Sequence, residues 1–297
     1  MRQLYINLKP ALKALELTTN SVMGTTLMGN YTSLLPGAGL EFKGYTEYTP
    51  ATDSKLIDWK ASLKSNTLLI REHTEERNVS AFFLISTSGS MIYTSTKKLK
   101  AEYAGELVAS LAYIMMKEND LFGFAMFNNK IKTLALPECS MTQFYRLSQS
   151  LINTEYYGGN SNLTEALQFA FRTLKPKTML FIISDFIGLS RGWEDALKQA
   201  SSKLDIIAII VRDPADLALP TLHTSEVLVR SPSSSQIVNV RIASVREKYR
   251  DYVDRQMLHI RKVFAECNSD VLLLTTDKSF VAPILNFFTV RKHKRWR

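Results

Sequence analysis

Five consecutive residues, Ser86-Thr87-Ser88-Gly89-Ser90, cluster hydroxyls at the end of an apolar run from Val79 to Ser86 (VSAFFLIS). A short run of that kind reads as a buried strand, and open α/β sheets place ligands in the crevice beyond the carboxyl ends of their strands. Asp185 has a similar placement at the end of Thr178 to Phe186 (TMLFIISDF). Such groups offer either a nucleophile or oxygen donors to a ligand. For nucleophilic chemistry the surroundings are poor. No Gly-x-Ser-x-Gly elbow is present. His73, His223, His259 and His293 are scattered, each reading as a surface or packing residue. A serine hydrolase would need one of them to approach Ser88 in space. Neither Gly-x-Gly-x-x-Gly nor a P-loop pattern occurs, and no nucleotide site is expected. The plainest alternative is that the serines cap the following helix and that Asp185 caps a helix or binds loop amides.

The elements that must position these residues follow from hydrophobic periodicity. Strands are expected at 79–86, 121–127, 131–136, 178–186, 204–211 and 271–275, with 131–136 the hairpin mate of 121–127 across Asn128-Asn129. Helices are expected at 99–117, 141–152, 163–174, 192–202, 244–265 and 279–290. In the first, Leu99, Tyr103, Leu107, Leu111 and Ile114 recur at steps of three to four. Alternating strands and helices predict an α/β fold, a mostly parallel sheet covered by helices on both faces. Residues 226–229 and 236–240 read as a projecting β-hairpin around Ser231-Pro232-Ser233-Ser234-Ser235, an insertion spanning about 220–242. The first 78 residues lack this rhythm and form a β-rich accessory segment. The α/β domain is expected at 79–290, followed by a basic tail at 291–297.

Cys139 and Cys267 lie far apart in no metal-ligand spacing. No apolar run is long enough for a transmembrane helix, and the first residues carry Lys9 and Lys13 without a signal-peptide pattern. A cytoplasmic location is expected. The net charge of +9 suggests acidic partners. Nucleic acid or an anionic surface is the alternative reading, resting on Arg291, Lys292, Lys294, Arg295 and Arg297, with little aromatic interleaving beyond Trp296.

The serine spacing resembles the Asp-x-Ser-x-Ser signature of the metal-ion-dependent adhesion site of von Willebrand factor A (vWA) domains. The resemblance puts Ser88 and Ser90 in the place of the two hydroxyl ligands and Ser86 where the family has aspartate. It implies a further hydroxyl ligand after Gly158-Gly159, with Ser161 the best candidate and Thr164 the reserve, and a carboxylate at Asp185. Mg²⁺ wants octahedral oxygen ligands, so such a set would bind it and leave a position for a partner's carboxylate. The serine at position 86 removes one full negative charge. The implied site binds Mg²⁺ weakly, or is a metal-free remnant.

Upstream, Gly39-Leu40-Glu41-Phe42, Tyr45-Thr46-Glu47-Tyr48-Thr49-Pro50, Ile57-Asp58-Trp59-Lys60 and Leu68-Leu69-Ile70-Arg71-Glu72 resemble the hallmark of the DUF-fifty-eight family, vWA-like proteins encoded beside MoxR AAA+ ATPases. Val211-Arg212-Asp213-Pro214 and Thr275-Thr276-Asp277 match later landmarks, while Ala51-Thr52-Asp53 departs from the family's Pro-Gly-Asp-Asp. The resemblance implies a non-enzymatic adaptor that works with a MoxR-type ATPase on client proteins during assembly or maturation of complexes. The residues alone give the hallmark structural roles. Trp59 reads as a buried anchor, with Asp58 and Lys60 facing the other way on a strand.

Overall fold

The computed structural model describes residues 4–7, 41–49, 54–74, 79–219, 227–230 and 237–295. Its centre is a six-stranded sheet built from β3 (Ser80–Ser86), β4 (Leu121–Phe127), β5 (Ile131–Glu138), β6 (Met179–Ser184), β7 (Asp205–Arg212) and β10 (Asp270–Thr275). The spatial order is β10-β7-β6-β3-β4-β5. All pairings are parallel except β4 with β5, which is the hairpin expected across Asn128-Asn129. The carboxyl ends of five strands therefore lie along one edge, with β3 and β6 adjacent at its middle.

Alternation along β3 shows how the sheet acquires two cores. Phe83 and Ile85 face one side and pack with α2 (Lys100–Lys117), α3 (Met141–Ile152) and α8 (Val281–Arg295). Phe82 and Leu84 face the other and pack with α4 (Leu163–Thr173), α5 (Trp193–Ser201) and α7 (Ile242–Glu266). Because successive strand side chains point to opposite faces, a strand covered on both sides must be apolar throughout, and β3 is buried from Ala81 onward. Gly123 in β4 has a different reason. A Cβ there would stand 2.7 Å from the Ala135 carbonyl oxygen and the Pro137 nitrogen, in a stretch where the β4–β5 register shifts.

α2 is the central covering helix, and two of its buried glutamates tie neighbouring backbone to it. Glu102 accepts from the Tyr5 amide at 3.0 Å and from the Leu99 amide at 3.0 Å. Glu106 accepts from the Asn7 amide at 3.1 Å and from the Lys98 ammonium at 2.6 Å. A short helix not anticipated from periodicity, α6 (Pro214–Leu217), follows β7. The expected hairpin is present as β8 (Val227–Arg230) antiparallel to β9 (Ile237–Val240), while its serine turn lies outside the described residues.

Two expectations need correction. In the accessory segment, β1 (Glu41–Glu47) pairs antiparallel with β2 (Leu69–Thr74), but the Asp58-Trp59-Lys60 stretch opens a helix, α1 (Trp59–Ser65), instead of a strand. Asp58 is its N-cap, accepting from the Lys60 and Ala61 amides at 3.1 and 3.2 Å. α1 anchors through the buried Ser62, whose hydroxyl donates to the Asp58 carbonyl and accepts from the Leu69 amide. Trp59 is consequently 63 % exposed, not a buried anchor, and Leu63, one turn on, is 86 % exposed. Pro50, the other proline-side hallmark, lies outside the described residues, while the Tyr48 amide donates to the Leu68 carbonyl. The second correction concerns the basic tail. α8 continues to Arg295, and Arg291 is buried against Asp205 and Asp270 at the amino ends of β7 and β10. Those two carboxylates hold the start of the basic run in the fold.

Candidate functional site

The hydroxyl cluster sits at the middle of the carboxyl edge, where β3 ends. Ser86 and Ser88 are buried, their hydroxyl oxygens 3.2 Å apart, and Ser88 lies 3.0 Å from the Ser90 hydroxyl. The loop holding them is laced to its neighbours through the main chain. The Gly89 amide donates to the Gly159 carbonyl at 2.8 Å, and the Gly158 amide donates to the Thr87 carbonyl at 2.8 Å. Gly158 and Gly159 have φ of 124° and 73°, a region that favours glycine, so this turn needs both. The Asn128 side-chain amide donates to the Gly158 carbonyl, and the Asn162 amide donates to the Asn128 carbonyl. Ser161 lies in this laced turn, buried, and its hydroxyl has no hydrogen-bond partner among the described residues. Thr164 is directed elsewhere, its hydroxyl 3.2 Å from that of Ser190 and donating to the Arg191 carbonyl.

Asp185 follows β6 and is 1 % exposed, but its carboxylate is engaged. Lys100, the first residue of α2 and also 1 % exposed, donates to it at 2.8 Å and to Asp216 of α6 at 2.7 Å. The other Asp185 oxygen accepts from the Ile187 amide at 3.2 Å. Between them, Phe186 has a φ of 52°, a conformation that side-chain-bearing residues rarely adopt. Its ring is locked against Trp193 and Phe264, and its carbonyl accepts from Arg212 and Gln256. Burial pulls the Arg212 guanidinium below its ordinary range, opposed by the charges of Asp185 and Asp216.

Next along the edge, Asp213 caps α6 and gathers a loop from across the molecule. It accepts from the Ser95 amide and the Thr94 hydroxyl, both at 2.9 Å, and from the Ser95 hydroxyl. The Ala215 amide adds 2.9 Å and the Thr276 hydroxyl 3.4 Å. Burial would raise its carboxyl, yet these hydrogen bonds, those from Ser95 foremost, outweigh it and hold the group below the usual carboxylate range.

A family profile described as "Protein of unknown function DUF58" matches residues 44–278, more than half of the sequence. The chain belongs to this family. Uncharacterized proteins of Mycobacterium tuberculosis and Mycobacterium bovis are 22% identical to it over 96% of this chain and 90% of their own. Among solved structures, a conserved hypothetical protein, BatB from Bacteroides thetaiotaomicron, is similar at a TM-score of 0.47 and 17% identity, covering 73% of this chain and 100% of that one. A von Willebrand factor type A protein from Catenulispora acidiphila is similar at 0.42 and 12%, over 74% of this chain and 43% of that one. The expected α/β architecture, a mostly parallel sheet covered by helices on both faces, is the one this DUF58 chain has.

Within this DUF58 member, the candidate ligands therefore divide. Ser88 and Ser90 adjoin, Ser161 is buried on the neighbouring turn, and Asp185 is paired with a lysine. This donor set does not fit Mg²⁺. It contains one carboxylate, already neutralised, and an ion on that same carboxylate would stand roughly 4 Å from the ammonium. Repulsion there is on the order of 8 kcal/mol at an effective dielectric constant of about 20. No group of three or more His, Cys, Asp or Glu side chains among the described residues is placed to hold a metal. Sequence reasoning marked Arg212, Asp213 and Thr276 as family landmarks without assigning them roles, and it missed Lys100 and Asp216. The Asp213-Pro214 pair did carry a helix-start signal, an N-cap followed by proline at the first helical position. Lys100 carried none.

Proposed function

We propose that this DUF58 protein is a cytoplasmic, non-enzymatic adaptor that binds a MoxR-type AAA+ ATPase and presents client proteins for assembly or maturation of complexes. The observation that carries this reading is the exposure of Trp59. The family hallmark centres on a tryptophan that is 63 % exposed, with Leu63 beside it at i+4 on the same helix face. Exposed large apolar residues grouped on one face favour a protein partner, and tryptophan is enriched among residues that dominate binding energy. Among the described residues the Ser86, Ser88 and Ser90 hydroxyls hydrogen-bond to one another. His259 reaches Glu194 at 3.3 Å and not the serines. Among the described residues, no helix is long and apolar enough to cross a membrane. The charge of +9 supports nucleic-acid binding less than its size suggests, because Lys100, Arg212 and Arg291 are buried.

The test is capture of the MoxR-type ATPase of the same genome by the full chain, with and without ATP. Association is expected, weakened at least about tenfold by Trp59→Ala with unchanged thermal melting, the size of loss typical of a binding hot spot. No association in either nucleotide state would sink the reading.

A further inference from the structure

We infer that Lys100 is the resident cation of this crevice, doing for Asp185 what a divalent ion would do, so that the site is complete without metal. The inference concerns the crevice alone and stands whether or not the ATPase is the partner.

A buried lysine on the first turn of an 18-residue helix is at the end where the helix dipole disfavours positive charge. Such a residue needs local compensation, and two buried carboxylates, Asp185 and Asp216, supply it. With Arg212 close enough to feel both carboxylates, two cations stand against two anions. Divalent charge added at Asp185 would meet two cations that already balance its carboxylate and that of Asp216. The serine at position 86 belongs to the same arrangement. An aspartate there would restore the carboxylate that the adhesion-site pattern expects, whereas the serine instead bonds within the Ser86-Ser88-Ser90 hydroxyl chain. The serine at position 86 removes one negative charge from the pattern and the Lys100 ammonium adds one positive charge at Asp185, together the change of two units that a bound divalent ion would bring.

The experiment is Mn²⁺ and Mg²⁺ calorimetry on the full chain. Wild type is expected to bind neither ion at 1 mM or below, on the order of the weak limit for functional divalent sites. Binding abolished by Asp185→Asn would overturn the inference. Folded Ser86→Asp/Lys100→Ser, which restores one carboxylate and frees another, is expected to bind Mn²⁺ at least about 30-fold more tightly than wild type, and failure to do so counts against it. If that variant does not fold, Ser86→Asp alone decides the matter. With Lys100 retained it must not gain Mn²⁺ binding, and a gain would show that the lysine does not exclude the ion.

Discussion

Two sites on the central sheet, the Lys100 cluster and Asp120, treat buried carboxylates in opposite ways. At the carboxyl edge, Asp185 and Asp216 share the Lys100 ammonium, and Asp213 is surrounded by hydroxyl and amide donors. At the amino edge, Asp120 stands just before β4 and accepts from the Val79 amide at 2.7 Å, with no cation paired to it among the described residues. Burial, aided by the charge of Glu118 and only partly offset by the Val79 amide, pushes Asp120 up to about 6. The difference separates a cluster built to keep charge from a single carboxylate position that tolerates it. A buried carboxylate stabilises the fold as an anion only where its partners outweigh the lost hydration.

Breaking the cation at the carboxyl edge gives the largest expected effect. Lys100→Met leaves two buried carboxylates uncompensated and is expected to cost about 3–5 kcal/mol in urea unfolding. A loss below about 1 kcal/mol would mean that Arg212 alone balances the pair.

Asp213→Ala removes the hub for Thr94, Ser95 and Thr276 and is expected to cost about 2–4 kcal/mol at pH 7. The Asp213 carboxyl titrates lower in the folded chain than in the unfolded one. Its contribution is therefore full above the unfolded value of about 4 and is lost as pH falls through the depressed folded value. Melts of wild type and variant should converge toward acid, and a gap that does not narrow contradicts the assignment.

The third effect has the opposite sign. Asp120 titrates higher when folded, so the folded state binds the extra proton between about pH 4 and about 6, and stability falls as pH rises through that window. Asp120→Asn keeps an oxygen for the Val79 amide and removes the charge. It is expected to stabilise the chain at pH 7 by up to about 3 kcal/mol, and to make no difference below about pH 4. Equal gains at both pH values would place the benefit in packing.

The contrast also marks where sequence reading succeeds. β4 and α3 fall at the residues that periodicity indicates, because strand alternation and helical repeat are written in neighbouring positions. Ser86, Ser88 and Ser90 were legible as a cluster for the same reason. Trp59 was misread because Asp58 looks like any polar residue in a mixed strand until its carboxylate is seen capping the Lys60 and Ala61 amides. The extent of the basic tail was misread because Arg291 finds Asp205 across 86 residues.

By itself the sequence determined an α/β scaffold of the DUF58 kind, a serine cluster at a strand end, and a serine at position 86 where the adhesion-site pattern has aspartate. Only the tertiary structure decided what charge that crevice holds. Lys100 meets Asp185 across 85 residues and Asp216 across 116, separations over which no local pattern speaks. Burial makes their pairing decisive, since charges removed from water must be matched by whatever the fold places beside them.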